Sequence, residues 1–172
     1  FMTCLLLAML CQENVCMIAV GFGLYAWIDR KRVRCRWTII PALAGIVYFV
    51  SVILLIMPAL NNNTVQFYRM YWPGADSFPA ALLQMTIHPS ETLQRTVQPD
   101  RLAFIGSLTG PLAFLSFLSP GNLIPALPVF AQRILSLRES EATIFFHYQA
   151  EFIPFVFVSA IYGTKRLRKR IP

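Results

Sequence analysis

The sequence predicts an all-α protein: a multi-pass transmembrane helix bundle with about five membrane segments and a long external loop. Three observations carry this. Hydrophobic residues fill 56% of the 172 positions and charged residues only 13%, with a mean hydropathy of +0.57, where a soluble domain carries about 25% charged residues. The apolar residues fall in long unbroken runs, whereas barrel strands would alternate in polarity. Finally, much of the +7 net charge gathers in two clusters beside apolar runs. One is Arg30, Lys31, Arg32, Arg34 and Arg36; the other is Lys165, Arg166, Arg168, Lys169 and Arg170. Basic residues flanking spans mark the cytoplasmic side, which places loop 29–36 and the C-terminus in the cytoplasm of a cell-membrane protein. The flanking apolar runs argue against a nucleic-acid partner, and the abundant aromatics argue against disorder.

Residues 2–28 form the first apolar stretch, interrupted by Gln12-Glu13-Asn14. It is read either as one tilted span or as two helices around a polar break. Residues 38–60 form the cleanest span. Pro41 falls in its first turn, where a missing N–H costs little, and Pro58 with Asn61-Asn62-Asn63 closes it. Starting at a basic cluster, it should run outward.

Residues 61–100 are polar, Pro-rich and aromatic, with no basic excess, as befits an external loop. Short helices are expected at Phe78–Ile87 and Ser90–Val97. The third segment is 102–118, with Gly106, Gly110 and Pro111 allowing irregularity and close packing. After the turn Ser119-Pro120-Gly121-Asn122 come segment 123–137, with Pro125 and Pro128 in its first half, and segment 145–163. Parity requires the Pro-broken 123–137 to cross if the loop is outside and the C-terminus inside, although about 15 residues reach only ~22 Å.

Cys4, Cys11, Cys16 and Cys35 lie outside the long loop and include no CxxC pair; packing roles are expected rather than disulfides or metal ligation. Phe1-Met2 opens directly in apolar sequence without a basic n-region or cleavage site, so no signal peptide is expected. The expectation is a single membrane domain, 1–172, forming the C-terminal part of a longer chain.

Three groups of residues, taken in order, carry a resemblance. The first is Cys11-Gln12-Glu13-Asn14-Val15 with Gly21-Phe22-Gly23-Leu24-Tyr25 before a basic loop. The second is Gly110-Pro111-Leu112, Leu118-Ser119-Pro120 and Leu127-Pro128. His147-Tyr148-Gln149-Ala150 followed by Ile153-Pro154-Phe155 completes it. The chain resembles the C-terminal part of a family of predicted polytopic membrane proteins, domain of unknown function 2079, which is similar to type-C membrane glycosyltransferases. The resemblance implies a polyprenyl-phosphate sugar donor used on the external face. It also implies a catalytic carboxylate in an N-terminal half that this chain lacks, so an isolated fragment is expected to be inactive and no catalytic residue is assigned.

The substrate-binding candidates are Glu13, Arg133, Arg138, His147, Tyr148 and Glu151. An acid in an apolar run is costly unless paired, so Glu13 is either functional or solvated at a helix junction. His147 and Glu151 are four residues apart and on a helix would share a face; the pair can hold a proton, meet a phosphate, or form an interfacial belt with Tyr148. Arg69, Arg95, Arg101, Arg133 and Arg138 run against the positive-inside bias. They suit bidentate phosphate binding, or headgroup contact and pairing with Asp100, Glu139 and Glu141; Arg133 and Arg138 can also pair with Glu151 or share a phosphate with His147. No cofactor is expected; a divalent metal has too few ligands in view. Asn62-Asn63-Thr64 fits a glycosylation sequon, and His88 reads as a surface histidine. Alternative functions are a transporter or channel component, with its broken helices, and a structural membrane subunit.

Overall fold

A computed structural model describes residues 2–12, 14–29, 35–60 and 67–169. Every regular element among them is helical. The first apolar stretch is two helices, α1 (Met2–Cys11) and α2 (Val15–Ile28). The two-helix reading of 2–28 therefore holds. Gln12 and Asn14 sit in the break, where their carbonyls accept from Val15 and Met17 in tight turns.

Helix α3 (Cys35–Ser51) continues through a π-helical turn at Val52–Ile56 into α4 (Met57–Leu60). Within it, Trp37–Leu60 is the one helix among the described residues long and apolar enough to cross a membrane, at 24 residues. That length reaches about 36 Å, beyond the ~30 Å hydrocarbon core. The helix starts earlier than residue 38, so Pro41 lies inside it rather than in its first turn. The wide turn has a local cause. Pro58 cannot donate a helical bond, and its ring crowds the carbonyl four residues back. Just before it, the Met57 N–H donates to Val52, five residues back.

In the long loop, α5 spans Phe78–Ile87 as expected, with the Ser77 hydroxyl accepting from the Ala80 N–H at 3.3 Å. Helix α6 (Pro89–Thr96) starts one residue earlier than expected because Pro89 takes a first-turn position that suits it. Helix α7 (Pro99–Thr109) then leads out of the loop.

Segment 102–118 is not one helix. Past Thr109 the chain makes a 3-10 turn, and Ala113 and Phe114 take left-handed conformations, with φ of 49° and 57°. Such residues cannot continue a right-handed helix. A second 3-10 turn, Leu115–Leu118, follows. Segment 123–137 divides likewise: Pro120–Ala126 is 3-10, and only α8 (Leu127–Leu135) is α-helical. The prolines at 120, 125 and 128 remove the donors a continuous helix would need. Segment 145–163 also shifts. Residues before Ile153 form turns, and α9 spans Ile153–Arg168.

Glycines set the closest approaches. A Cβ on Gly23 would lie 2.7 Å from both the Ala42 Cβ and the Thr38 carbonyl, and one on Gly45 would overlap the Cys16 carbonyl. These two positions let α2 and α3 meet backbone to backbone. On α2, Gly21 abuts the Pro125 carbonyl; on α9, Gly163 abuts the Leu115 carbonyl. Gly163, read from the sequence as the end of a span, is thus a packing contact within α9.

One core joins Ile18, Phe104, Val129, Ile134 and Phe152. Phe104 stacks with Phe130, and Phe152 meets both rings edge-on. Each such burial contributes roughly 1.5–3 kcal/mol. A smaller core joins Leu5, Met9, Cys16 and Ala19. The buried Ser159 hydroxyl lies 2.7 Å from the carbonyls of Ser116 and Ser119 and clips the irregular turns to α9.

Candidate functional site

Helix α8 places Arg133 in its last turn, on the side that buries Val129 and Ile134. A buried guanidinium needs acceptors, and two carboxylates converge on it. Arg133 Nη1 lies 3.4 Å from Glu141 Oε2, and Nη2 lies 3.3 Å from Glu151 Oε2. The Glu151 contact is forked, with Oε1 at 3.4 Å. The guanidinium carbon sits 4.8 Å from the Tyr148 ring centroid, a cation–π arrangement. All three charged groups are nearly fully buried.

Arg138 approaches the same cluster from its exposed side, with Nη1 3.8 Å from Glu141 Oε1. At 56% exposure its side chain remains in reach of a ligand. On the other flank, Gln132 donates to the Asn14 side chain at 3.0 Å. That bond ties α8 to the polar break between α1 and α2. The Leu137 N–H donates to the Met70 carbonyl at 2.7 Å, so the long loop is held over the end of α8.

Asn14, Gln132, Arg133, Arg138, Glu141 and Tyr148 line a cavity of about 390 Å³, and Glu151 is not among its lining residues. One wall is apolar and comes from the membrane-length helix: Phe49, Val52, Ile53, Leu54, Met57 and Pro58. The π-helical turn thus forms part of this wall, and such turns recur at functional sites. The opposite end is polar, with Gln12, Asn14, Gln132, Arg133, Arg138 and Glu141. Arg133 Nε, Glu141 Oε2 and Gln132 Oε1 are buried there without a hydrogen-bond partner among the described residues. Tyr71 and Asp76 also line the polar end. Burial pushes the Tyr71 phenol above its ordinary pKa; the Gln132 side chain opposes this, Glu141 adds to it and Arg133 reduces it. At neutral pH Tyr71 is thus an uncharged hydroxyl.

The cavity has a fixed relation to the basic clusters. Helix α2 begins beside it and ends just before residues 30–34. Helix α3 begins just after them and reaches the cavity at Phe49 and Val52. Helix α9 begins two residues after Glu151 and ends at Lys165, Arg166 and Arg168. Helices α2 and α3 thus separate the cavity from basic residues by about 20–25 Å of helix rise.

The structure brings Arg133, Arg138, Tyr148 and Glu151 together. His147 stays out: it is exposed, 4.6 Å from the Tyr148 ring by centroids, and absent from the cavity lining. His147 and Glu151 do not share a helix face, because residues 147–149 form a 3-10 turn and α9 starts only at Ile153. Glu13 lies outside the described residues, though its neighbours Gln12 and Asn14 line the cavity. Of the other arginines, Arg95 pairs with Glu91 and caps the Trp72 ring, while Arg101 donates to the Ser136 carbonyl. No group of three His, Cys, Asp or Glu suited to a metal occurs among the described residues.

Gln132, Asn14 and Tyr71 were not expected at the site. The signal for Gln132 was its place beside Arg133 in an otherwise apolar segment. Nothing local marks Tyr71, one of several loop aromatics.

A family model described as a predicted membrane protein matches residues 1–172. The chain belongs to this family, DUF2079. The match covers the two cavity walls together. Comparisons with curated proteins and with solved structures gave no match.

Proposed function

We propose that this DUF2079 chain is part of a multi-pass membrane protein that binds a phosphate-bearing lipid in the α8 cavity, as a glycosyltransferase-like protein using a lipid-phosphate-linked sugar would. The observation that supports this is the two-sided lining of the cavity. An isoprenoid or acyl chain suits the wall built from Phe49, Val52 and Leu54. A phosphate suits Arg138, whose side chain is 56% exposed and whose ion pair with Glu141 is long, and sugar hydroxyls suit Gln12, Asn14 and Asp76 of the same lining. Arg133 is engaged by two carboxylates and acts in this reading as a support for the polar end.

The charge layout supports an external position for the cavity, since α2 and α3 both run from it to the basic cluster between them. The partners on this reading are membrane lipids, a polyprenyl-phosphate sugar donor and an N-terminal half of the same protein that brings the catalytic carboxylate. A transporter reading draws on the same interrupted helices around a polar site.

The experiment is binding of polyprenyl phosphate, against the matching neutral polyprenol, to the protein in nanodiscs. The expected result is preference for the phosphate, lost in Arg138→Ala. Equal binding of phosphate and alcohol would remove the reading.

A further inference from the structure

Phe78, in the first turn of α5, packs edge-on against Phe49 of α3, with ring centroids 5.8 Å apart. Phe49 stands at the middle of Trp37–Leu60, the membrane-length helix. It lies about 18 Å of helix rise from Trp37 and about 16 Å from Leu60. The hydrocarbon core of a bilayer is about 30 Å thick. Where that helix crosses a membrane, Phe49 is deep in the hydrocarbon, and the start of α5 sits at the same depth. Ser77, Phe78 and Pro79 also line the cavity together with Val52 and Ile53, which repeats the placement through further residues. A loop lying wholly above the membrane could not make these contacts.

The sequence of α5 suits that depth. The helix contains no charged residue. Ala81 and Met85 are buried on one side. The opposite side carries Pro79, Leu82, Leu83, Thr86 and Ile87, all exposed, at the three- and four-residue spacing of a single helix face. A helix on a water surface turns polar residues outward, yet here Leu82, Leu83 and Ile87 are 48%, 57% and 58% exposed. Thr86, the one polar side chain on that face, donates its hydroxyl to the Leu83 carbonyl at 2.7 Å. The helix ends are met as well: the Ser77 hydroxyl accepts from the Ala80 N–H, and the His88 N–H donates to the Gln84 carbonyl. Internal satisfaction of polar groups is what hydrocarbon demands. Ten residues rise only about 15 Å, too short to cross, and a length that suits a re-entrant segment.

Polarity changes where α5 ends. Helix α6 carries Glu91 and Arg95. The Trp72 ring stacks on His88, with centroids 5.4 Å apart, and lies 4.5 Å from the Arg95 guanidinium carbon. An indole among polar and cationic groups marks the headgroup level.

We propose that α5 is a re-entrant helix of the long loop. It starts at hydrocarbon depth against Phe49, exposes Leu82, Leu83 and Ile87 to lipid acyl chains, and returns the chain to the headgroups at His88 and α6. Its neighbour α3 exposes Ile46, Val47 and Val50 around the contact, so one apolar solvent serves both helices. This placement does not rest on lipid-phosphate binding, because Leu82, Leu83 and Ile87 lie outside the lining of that cavity.

The test is fluorescence depth measurement on the full chain in nanodiscs. Leu83→Trp is placed in a background of Trp27→Phe, Trp37→Phe and Trp72→Phe, beside Gln94→Trp on α6 as the surface reference. Leu83→Trp should lose most of its emission in lipid brominated at mid-chain and keep it in acrylamide; Gln94→Trp should do the reverse. A second measurement leaves the native tryptophans in place. Leu83→Asp should lower the unfolding midpoint in nanodiscs, because a charge facing hydrocarbon is costly, while Gln94→Asp should leave it unchanged. Emission of Leu83→Trp quenched by acrylamide, or shielded from both quenchers as under a protein partner, would overturn the placement. An unchanged midpoint in Leu83→Asp would do the same. Failure of the polyprenyl-phosphate preference with these results intact would count against the proposed function alone.

Discussion

Arg133 and Glu151 form a forked ion pair, with Nη2 3.3 Å from Oε2, and the two side chains are 2% and 3% exposed. Glu141 meets the other terminal nitrogen. A cation so placed cannot fall back on water when a partner is removed.

The first prediction follows from that burial. Breaking a buried pair by removing one partner leaves an uncompensated charge and costs about 3–5 kcal/mol. Glu151→Ala leaves Arg133 with Glu141 alone, so it should lower stability by at most roughly that amount, seen as an early unfolding midpoint in detergent. Arg133→Ala, which removes the buried cation that both carboxylates meet, should lower it at least as far. Wild-type midpoints for both would show that the pair is not buried as described.

The second prediction separates binding from folding. Arg138 is largely exposed and holds Glu141 at 3.8 Å, a contact worth about 0–1 kcal/mol. Arg138→Ala should leave the unfolding midpoint nearly unchanged while weakening polyprenyl-phosphate binding. His147→Ala should change neither, because His147 is exposed and outside the cavity lining. Weakened lipid binding in the His147 variant would bring that residue back into the site.

Physical locality explains which features were legible in the sequence. The 38–60 span and the helix at Phe78–Ile87 were readable because each is decided by its own residues: an apolar run in one case, a Ser-Phe-Pro start in the other. The expected helices at 102–118 and 145–163 failed at their ends. Hydropathy reports burial, but the backbone path there depends on Pro111, on the left-handed Ala113 and Phe114, and on where Gly163 packs. The His147–Glu151 pair assumed helical spacing, and the chain is not helical at 147–149. The Arg133 cluster joins residues up to 18 positions apart through turns whose shape no periodicity reveals. Pairing of the arginines with Glu141 or Glu151 was legible as an option, since opposite charges in an apolar segment must meet something, and Arg133 meets both.

The third prediction concerns the α2–α3 contact. Alanine normally stabilises a helix relative to glycine by about 1 kcal/mol. At Gly23 the new methyl would stand 2.7 Å from the Ala42 Cβ and the Thr38 carbonyl, and overpacking costs about 1–3 kcal/mol. Gly23→Ala should thus destabilise the protein despite its better propensity. The control is Gly106→Ala, where nothing lies within 4 Å; it should be neutral or stabilising. A stabilising Gly23→Ala would mean that the helices are farther apart than described.

The last prediction uses Tyr71, whose phenol is pushed above its ordinary value of 10.0 mainly by burial. The folded protein therefore holds this proton more tightly than the unfolded chain. Below about pH 10 both states are protonated and Tyr71 adds no pH dependence. As pH rises past 10.0, the unfolded chain loses the proton first and stability falls until the folded state also ionises. Tyr71→Phe should remove that alkaline loss, and the difference between wild type and variant isolates it from other groups. Glu141→Gln removes a neighbouring negative charge that raises the Tyr71 pKa, so it should shift the phenol titration downward. Absorbance titration of the folded protein measures this directly. A Tyr71 that ionises at or below pH 10 in the wild type would show that the cavity wall around it is open to water and that the polar end of the site is not enclosed.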